Sequence, residues 1–514
     1  MATPVYNFVN RAYELDQICR PGAPRFILID GAPGYGKTHL LLRVQDEYNP
    51  REWKTALVDL RRQAQMASAV HTASLCIAGA IVQQFPLAQG QAQVPDFPAG
   101  TGEAGIAAIL VPFLVGQRAH ILLLFDGVEV LSDDTSAWLK RLVTELDHGL
   151  KLSYQELRVV FAGRYASNWS QGAAFPILVR PLTPFDQMAV RAMVEQVVQQ
   201  AGMHVQPGYL DDLAWWILRI SGGHPRNICD MLGLISAAGF VFTDLAYTFS
   251  QQQFVNHGRT GTLFDLCIEP TIAEMLHEVP IPLREILAAI SPVRRFDQEL
   301  LVALFDQPFM APPGCQGVWE LISALLTWFN TQTANDLAKF KAAWELIQEL
   351  LRTHLISPPT VGDPMFSDQI VRRMLSMQMQ VRNPGRWQSI NQGTQQIFDR
   401  WASGQGPMYG SQQQPMETQV RRTAIVESLY HRLQLVPPRA APADVQAELD
   451  ETLDTYLAGL SHVRDIMQLK DALQSDKELT DLIERQAGLA AMPSLLHTLD
   501  HYLQVGGQHG RTNG

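Results

Sequence analysis

Residues Gly31-Ala32-Pro33-Gly34-Tyr35-Gly36-Lys37-Thr38 carry the spacing G-x-x-x-x-G-K-[ST], the pattern of a loop that wraps phosphate. Its glycines let backbone N–H groups turn inward around an anion, and the helix N-terminus behind them adds its positive dipole end. Lys37 is placed to reach the β- and γ-phosphates, and the Thr38 hydroxyl to help hold Mg2+. Gly31, Pro33, Gly34, Tyr35 and Gly36 form the cradle with them, and His39 follows at its edge. The apolar run Phe26-Ile27-Leu28-Ile29-Asp30 before the loop reads as a strand, and His39-Leu40-Leu41-Leu42-Arg43-Val44 after it as a helix. That order is the context the motif requires, and it predicts a chain that binds a nucleoside triphosphate.

Hydrolysis needs further groups. Asp126 ends the run His120-Ile121-Leu122-Leu123-Leu124-Phe125 and is the candidate that holds Mg2+ through water, on a strand expected beside the phosphate-loop strand. Many ATPases of this kind place a glutamate directly after that aspartate to orient the attacking water. Here the position is Gly127. Glu129 can substitute if the chain turns sharply at Gly127; the other reading is a carboxylate favoured by a helix start. Arg164 follows Phe161-Ala162-Gly163 at a strand end, the place for a γ-phosphate sensor or else for a plain surface arginine. Lys37, Glu129 and Arg164 are thus the candidate catalytic residues, with slow turnover expected.

These groups need a rigid support. Near-continuous apolar runs at 55–60, 120–126, 157–162 and 176–179 join the run at 26–30 with helical segments between them, the pattern of a parallel sheet covered on both faces. Gln89 to Gly105, rich in Gly, Pro, Gln and Ala, reads as an exposed loop in the second crossover. The chain of 514 residues is long enough for several domains, and its net charge of −11 opposes a chain-wide affinity for nucleic acid or anionic membrane. The five cysteines have no metal-ligand spacing and read as buried thiols in a reducing compartment. Without a signal pattern or an apolar run near ~18 residues, the expectation is a cytoplasmic protein that does not enter a membrane.

Several elements in order resemble the STAND class of signal-transducing ATPases, related to the NB-ARC and NACHT switches. Phe8-Val9-Asn10-Arg11-Ala12-Tyr13-Glu14-Leu15 is similar to the element preceding the phosphate loop in that class, which implies a place for Arg11 near adenine and ribose. Leu124-Phe125-Asp126-Gly127-Val128-Glu129 resembles a Walker B form found in bacterial members, and Phe161-Ala162-Gly163-Arg164 their arginine-bearing sensor strand. Ser221-Gly222-Gly223-His224-Pro225 resembles the G-x-P element between two lid helices, which implies that Pro225 packs against adenine. Phe366-Ser367-Asp368 falls where relatives carry M-H-D; Ser367 replaces the phosphate-touching histidine, so only Asp368 carries over, as a nucleotide contact or as a helix N-cap.

The resemblance implies an α/β domain followed by mostly α structure: a P-loop NTPase parallel sheet (1–182), a helical lid (183–260), a winged-helix domain (261–380), a C-terminal helical domain (381–505) and a disordered tail (506–514). It implies ATP/ADP and Mg2+ as cofactors, self-oligomerisation on activation and, with only a few residues before Phe8, a separate effector protein. Bacterial defence is the setting it suggests. Residues 440–505 hold twelve acidic and four basic side chains and read as an acidic helical bundle, either a cap on the winged helix or a docking module. The rival reading is an AAA+ ATPase of the origin-recognition or transposition-helper type acting on DNA. The doublet Arg372-Arg373 after the expected wing is its nearest basic feature, and nucleic acid is not the favoured partner.

Overall fold

In the computed structural model the described residues are 11–48, 52–67, 72–85, 95–98, 101–164, 169–170, 172–240, 242–256, 258–277, 279–312, 314–353, 355–357, 365–366, 369–405, 408–409, 412–413, 418–437, 440–458, 460, 462–488 and 490–509. Residues 8–10, Ser367 and Asp368 therefore lie outside them. The chain divides into two compact units, 1–271 and 272–514, a division that falls inside the domain expected over 261–380.

The first unit opens with α1 (Ala12–Cys19), β1 (Phe26–Asp30), α2 (Lys37–Glu47), β2 (Trp53–Asp59), α3 (Leu60–Met66), α4 (Ala73–Val82) and α5 (Glu103–Val115). It continues with β3 (His120–Asp126), α6 (Asp133–Leu152), β4 (Leu157–Gly163) and β5 (Leu178–Pro181). All five strands are parallel, in the order β2-β3-β4-β1-β5. The apolar runs are strands because both sheet faces are covered: Ile121 to Phe125 are wholly buried. Each such side chain contributes ~1.5–3 kcal/mol relative to exposure. The long helix α6 starts on a Ser132 cap and buries Leu139, Leu142, Val143, Leu146 and Leu150 at helical spacing.

Two expectations are corrected here. The strand of Asp126 is not beside β1, because β4 lies between them and pairs with both. Pairing order depends on contacts between distant segments, which no local apolar pattern encodes. The stretch 89–105 is not a loop to its end, since α5 begins at Glu103 with apolar residues packed against the sheet core.

After β5 come α7 (Gln187–Gln200), α8 (Pro207–Ser221), α9 (Pro225–Ala237), α10 (Leu245–Ser250), the strand pair β6 (Phe254–Asn256) and β7 (Arg259–Gly261), and a π-helix at Phe264–Ile268. The helix α11 (Glu269–Met275) contains the division between units.

The second unit holds α12 (Ile281–Ile290), α13 (Gln298–Phe305), α14 (Val318–Leu325), α15 (Asp336–Arg352), the antiparallel pair β8 (Ile356–Ser357) and β9 (Met365–Phe366), and α16 (Gln369–Arg382). It ends with α17 (Pro384–Ala402), the pair β10 (Met408–Tyr409) and β11 (Gln412–Gln413), α18 (Thr418–Leu435), α19 (Pro442–Leu457), α20 (Val463–Ser475), α21 (Lys477–Ala487) and α22 (Ala491–His509). The last helix runs through Gly506 to His509, past the expected start of a tail; 510–514 lie outside the described residues.

A charged cluster is buried in this unit. Arg294 donates through Nε and Nη2 to both oxygens of Glu427 (3.1 and 2.8 Å) and through Nη1 to Asp476 (2.9 Å). Arg372, 1% exposed, places Nη2 2.5 and 2.6 Å from the two Glu478 oxygens, and Tyr430 donates its hydroxyl to the same carboxylate at 2.9 Å. Burial opposes the charge on both arginines, but the facing carboxylates hold their pKa values above the ordinary range. No helix among the described residues is long and apolar enough to cross a membrane.

Candidate functional site

The sheet register sets the site at one edge. Asp30 pairs with Gly163 and Asp126 with Ala162, so the ends of β1, β3 and β4 meet at the carboxyl edge, where ligands bind in open parallel sheets. From Asp30 the chain turns through Gly34 (φ +77°) and Gly36 (φ +83°), left-handed conformations that favour glycine, and enters α2 at Lys37. Leu40, Leu41 and Val44 anchor that helix in the core.

Lys37 is buried, and its Nζ donates to the carbonyls of Gly31 (2.6 Å) and Ala32 (2.8 Å). Burial lowers its pKa from 10.5 to about 8; Glu129 and Asp126 pull it up, and Arg61 and Arg164 push it down. Thr38 donates Oγ1–H to Asp126 Oδ2 at 2.5 Å. Asp126 Oδ1 is buried with no hydrogen-bond partner among the described residues. A hydroxyl and a carboxylate with one unused oxygen form a hard-oxygen set, which fits Mg2+ retaining most of its water. Thr38 and Asp126 would hold that ion; bound there it would neutralise charge on the phosphates. His39 lies exposed beside Thr38.

The chain does turn sharply after Asp126. Gly127 has φ +87° and a short 3-10 turn covers Val128–Val130, which directs Glu129 back toward the sheet edge. There Glu129 accepts from Nη2 of Arg61 and, at 3.0 Å, from the backbone N–H of Arg164. Burial would raise its pKa, but these donors carry it below the usual carboxylate range. Arg164 Nε is buried without a hydrogen-bond partner among the described residues. Arg61 is the residue that sequence reasoning missed. It stands just after β2, whose Asp59 caps α3 and pairs in register with Asp126, and its only sequence signal was the doublet Arg61-Arg62.

The turn 221–225 between α8 and α9 is tightly specified. Gly222 (φ +65°) ends α8, and Gly223 (φ +85°) accepts from Phe185 N–H at 2.9 Å; a Cβ on Gly223 would come within 2.4 Å of the Phe185 carbonyl oxygen. His224 caps α9, and Pro225 is its buried first residue. Contacts with the phosphate loop are made by His224, whose Nε2 lies 2.8 Å from the Pro33 carbonyl oxygen, and by the backbone N–H of Arg226. Arg11 is placed elsewhere on the same wall: it donates to Thr183 O (2.7 Å) and Glu14 (2.8 Å) and lies over the Phe185 ring.

The phosphate-loop turn, the Thr38–Asp126 contact and the strand order now stand together. The fold is that of a P-loop NTPase. No protein-family model matches the chain, and no curated protein matches it. Among solved structures it is similar to a Walker-type ATPase of Pyrococcus abyssi (13% identity, 73% of this chain and 97% of that one, TM-score 0.44). It is also similar to Cdc6p from Pyrobaculum aerophilum (14%, 73% and 97%, 0.34) and to AMPPCP-bound DnaA from Aquifex aeolicus (15%, 68% and 91%, 0.29). All three TM-scores are below 0.5, so the functional weight rests on the chain's own residues.

Proposed function

We propose that this protein is an ATP/ADP-binding molecular switch of the STAND class, with slow Mg2+-dependent hydrolysis. The carrying observation is that a lid turn, 221–225, sits directly on the phosphate loop, so what the loop binds bears on where the lid rests. In this reading Lys37 and the loop amides bind the phosphates, Thr38 and Asp126 hold Mg2+, and Arg164 reads the γ-phosphate. Pro225 and Arg11 belong to the base side of the pocket. Switching free energy is then the difference in affinity of the two lid positions for ADP and ATP. Self-oligomerisation and signalling to a separate effector, with a setting in bacterial defence, complete the proposal.

The pinning of Glu129 supports slow turnover. A carboxylate that must accept a proton from water is here engaged by a guanidinium and a backbone N–H. Replacing Arg61 by alanine frees it, and steady-state ATP turnover should rise about tenfold. The further change Glu129→Gln should take that gain away. A fall in turnover with Arg61→Ala alone would show that Arg61 serves catalysis instead.

The solved structures lie nearer a second reading, an AAA+ ATPase acting on DNA: two similar structures are Drosophila ORC bound to DNA and the initiator DnaA bound to AMPPCP and single-stranded DNA. Against it, Arg372 and Arg294 are turned into the protein and paired with carboxylates, which removes them from a phosphate-backbone contact. Identification of the nucleotide released from protein as isolated, with a salt-dependent duplex gel shift, tests both. The switch reading expects bound ADP and no shift. Tight duplex binding with DNA-stimulated hydrolysis would replace it by the DNA-acting reading.

A further inference from the structure

Four successive carbonyls of the phosphate loop, those of residues 31–34, accept hydrogen bonds. Those of Gly31 and Ala32 accept from Lys37, that of Pro33 from His224, and that of Gly34 from the backbone N–H of Arg226 at 3.3 Å. In a trans peptide the carbonyl and the following N–H point in opposite directions, and the described chain has no cis bond. A Pro33 carbonyl held toward the lid therefore turns the Gly34 N–H away from it. That N–H, like the N–H of Gly36, makes no hydrogen bond among the described residues.

The ring that does the holding is well fixed. His224 is wholly buried and meets the Tyr35 ring edge-on at 5.5 Å between centroids. Its Nδ1 accepts from Asn227 N–H at 3.3 Å, so the proton sits on Nε2 and is donated to Pro33. Burial, which drives its pKa down to about 4, keeps the ring in that neutral form. Asn227 is braced in turn, its Oδ1 accepting from the Thr271 hydroxyl at 2.6 Å. The fit is close: a Cβ on Gly34 would lie 2.5 Å from His224 Cε1.

We infer that His224 is a positioning residue for polyphosphate: through the Pro33 carbonyl it aims the Gly34 N–H into the cradle. The lid thus sets the donor geometry of the loop as well as covering it. This rests on the reading of residues 31–38 as a polyphosphate cradle. One mis-aimed donor to a charged phosphate weakens binding roughly 10- to 100-fold.

The test uses the full chain and equilibrium binding of Mg2+-ATP, with inorganic pyrophosphate as a competitor that has no base or ribose. His224→Phe keeps an aromatic ring and removes the donor; it should lose roughly 10- to 100-fold in affinity for both ligands. His224→Gln places an amide N–H near the Nε2 position and should return to within about threefold of the natural protein. His224→Asn can cap Asn227 but is too short to reach Pro33, so it should fold and bind as weakly as the phenylalanine variant. Equal binding by the Asn and Gln variants would overturn the inference, as would a loss for ATP without a loss for pyrophosphate. Failure of the unaltered protein to bind either ligand would instead overturn the cradle reading beneath it.

Discussion

Lys37→Ala is expected to abolish ATP and ADP binding, with affinity falling a hundredfold or more on the order of two lost charge-assisted hydrogen bonds. The natural protein should gain about 2.7 kcal/mol of apparent stability at a hundredfold excess of nucleotide over Kd. The variant should gain nothing, and a melting curve with and without Mg2+-ATP reads this directly. An unchanged shift would show that the nucleotide lies elsewhere.

The same lysine makes binding pH-dependent. With its pKa lowered by burial to about 8, it is charged at pH 7 and mostly neutral at pH 9, whereas a bound polyphosphate demands the charged form. Binding should therefore take up about a tenth of a proton at pH 7 and about nine-tenths at pH 9. Affinity should fall about tenfold between pH 7 and pH 9. Calorimetry in buffers of different ionisation heat measures the uptake. Its effect on folding has the opposite sense: the unfolded chain holds this proton up to the ordinary 10.5, so the lysine's contribution to stability rises with pH from about 8 to 10.5.

The second large effect lies in the other unit. Arg372→Ala leaves Glu478 facing Tyr430 and a weakened set of cations, and should destabilise the second unit by ~3–5 kcal/mol. The double change Arg372→Met with Glu478→Gln removes one charge of each sign and leaves Arg294 with Glu427 and Asp476, so it should recover most of that loss. Hydrogen exchange over 463–487 reports the unit separately, which a whole-chain melt of a two-unit protein does not. If the single change leaves exchange there unaltered, the cluster is not what holds α21 in place.

These groups differ in how far the sequence revealed them. The phosphate loop was legible because its chemistry is local: eight consecutive residues carry the glycines, the lysine and the hydroxyl. The central strands β1, β3 and β4 were legible because burial on both faces leaves an uninterrupted apolar run. Arg61 was not, since its partner lies 68 positions away and a basic doublet looks the same in solvent. His224 stood inside a recognised turn, but attention to its glycines and proline passed over a ring whose partner is 191 residues distant. The charge count over 440–505 gives an acidic helical bundle, a cap or a docking module, but not that Asp476 and Glu478 face buried arginines. Pairing of opposite charges across helices is a property of the assembled unit and leaves no periodic trace.

One consequence of the strand order concerns size. Because β4 separates β1 from β3, the phosphate-loop strand and the Asp126 strand stand two strand spacings apart, roughly 9.5 Å. The first turn of α2 bridges that width, bringing Thr38 to Asp126 over the end of β4. Between the two strands β4 ends in Ala162, paired with Asp126, and Gly163, paired with Asp30, the two smallest residue types. Clearance above the sheet is thereby fixed by one inserted strand and two near-absent side chains. Bulk added at either position would crowd the space between the end of the phosphate-loop strand and Asp126.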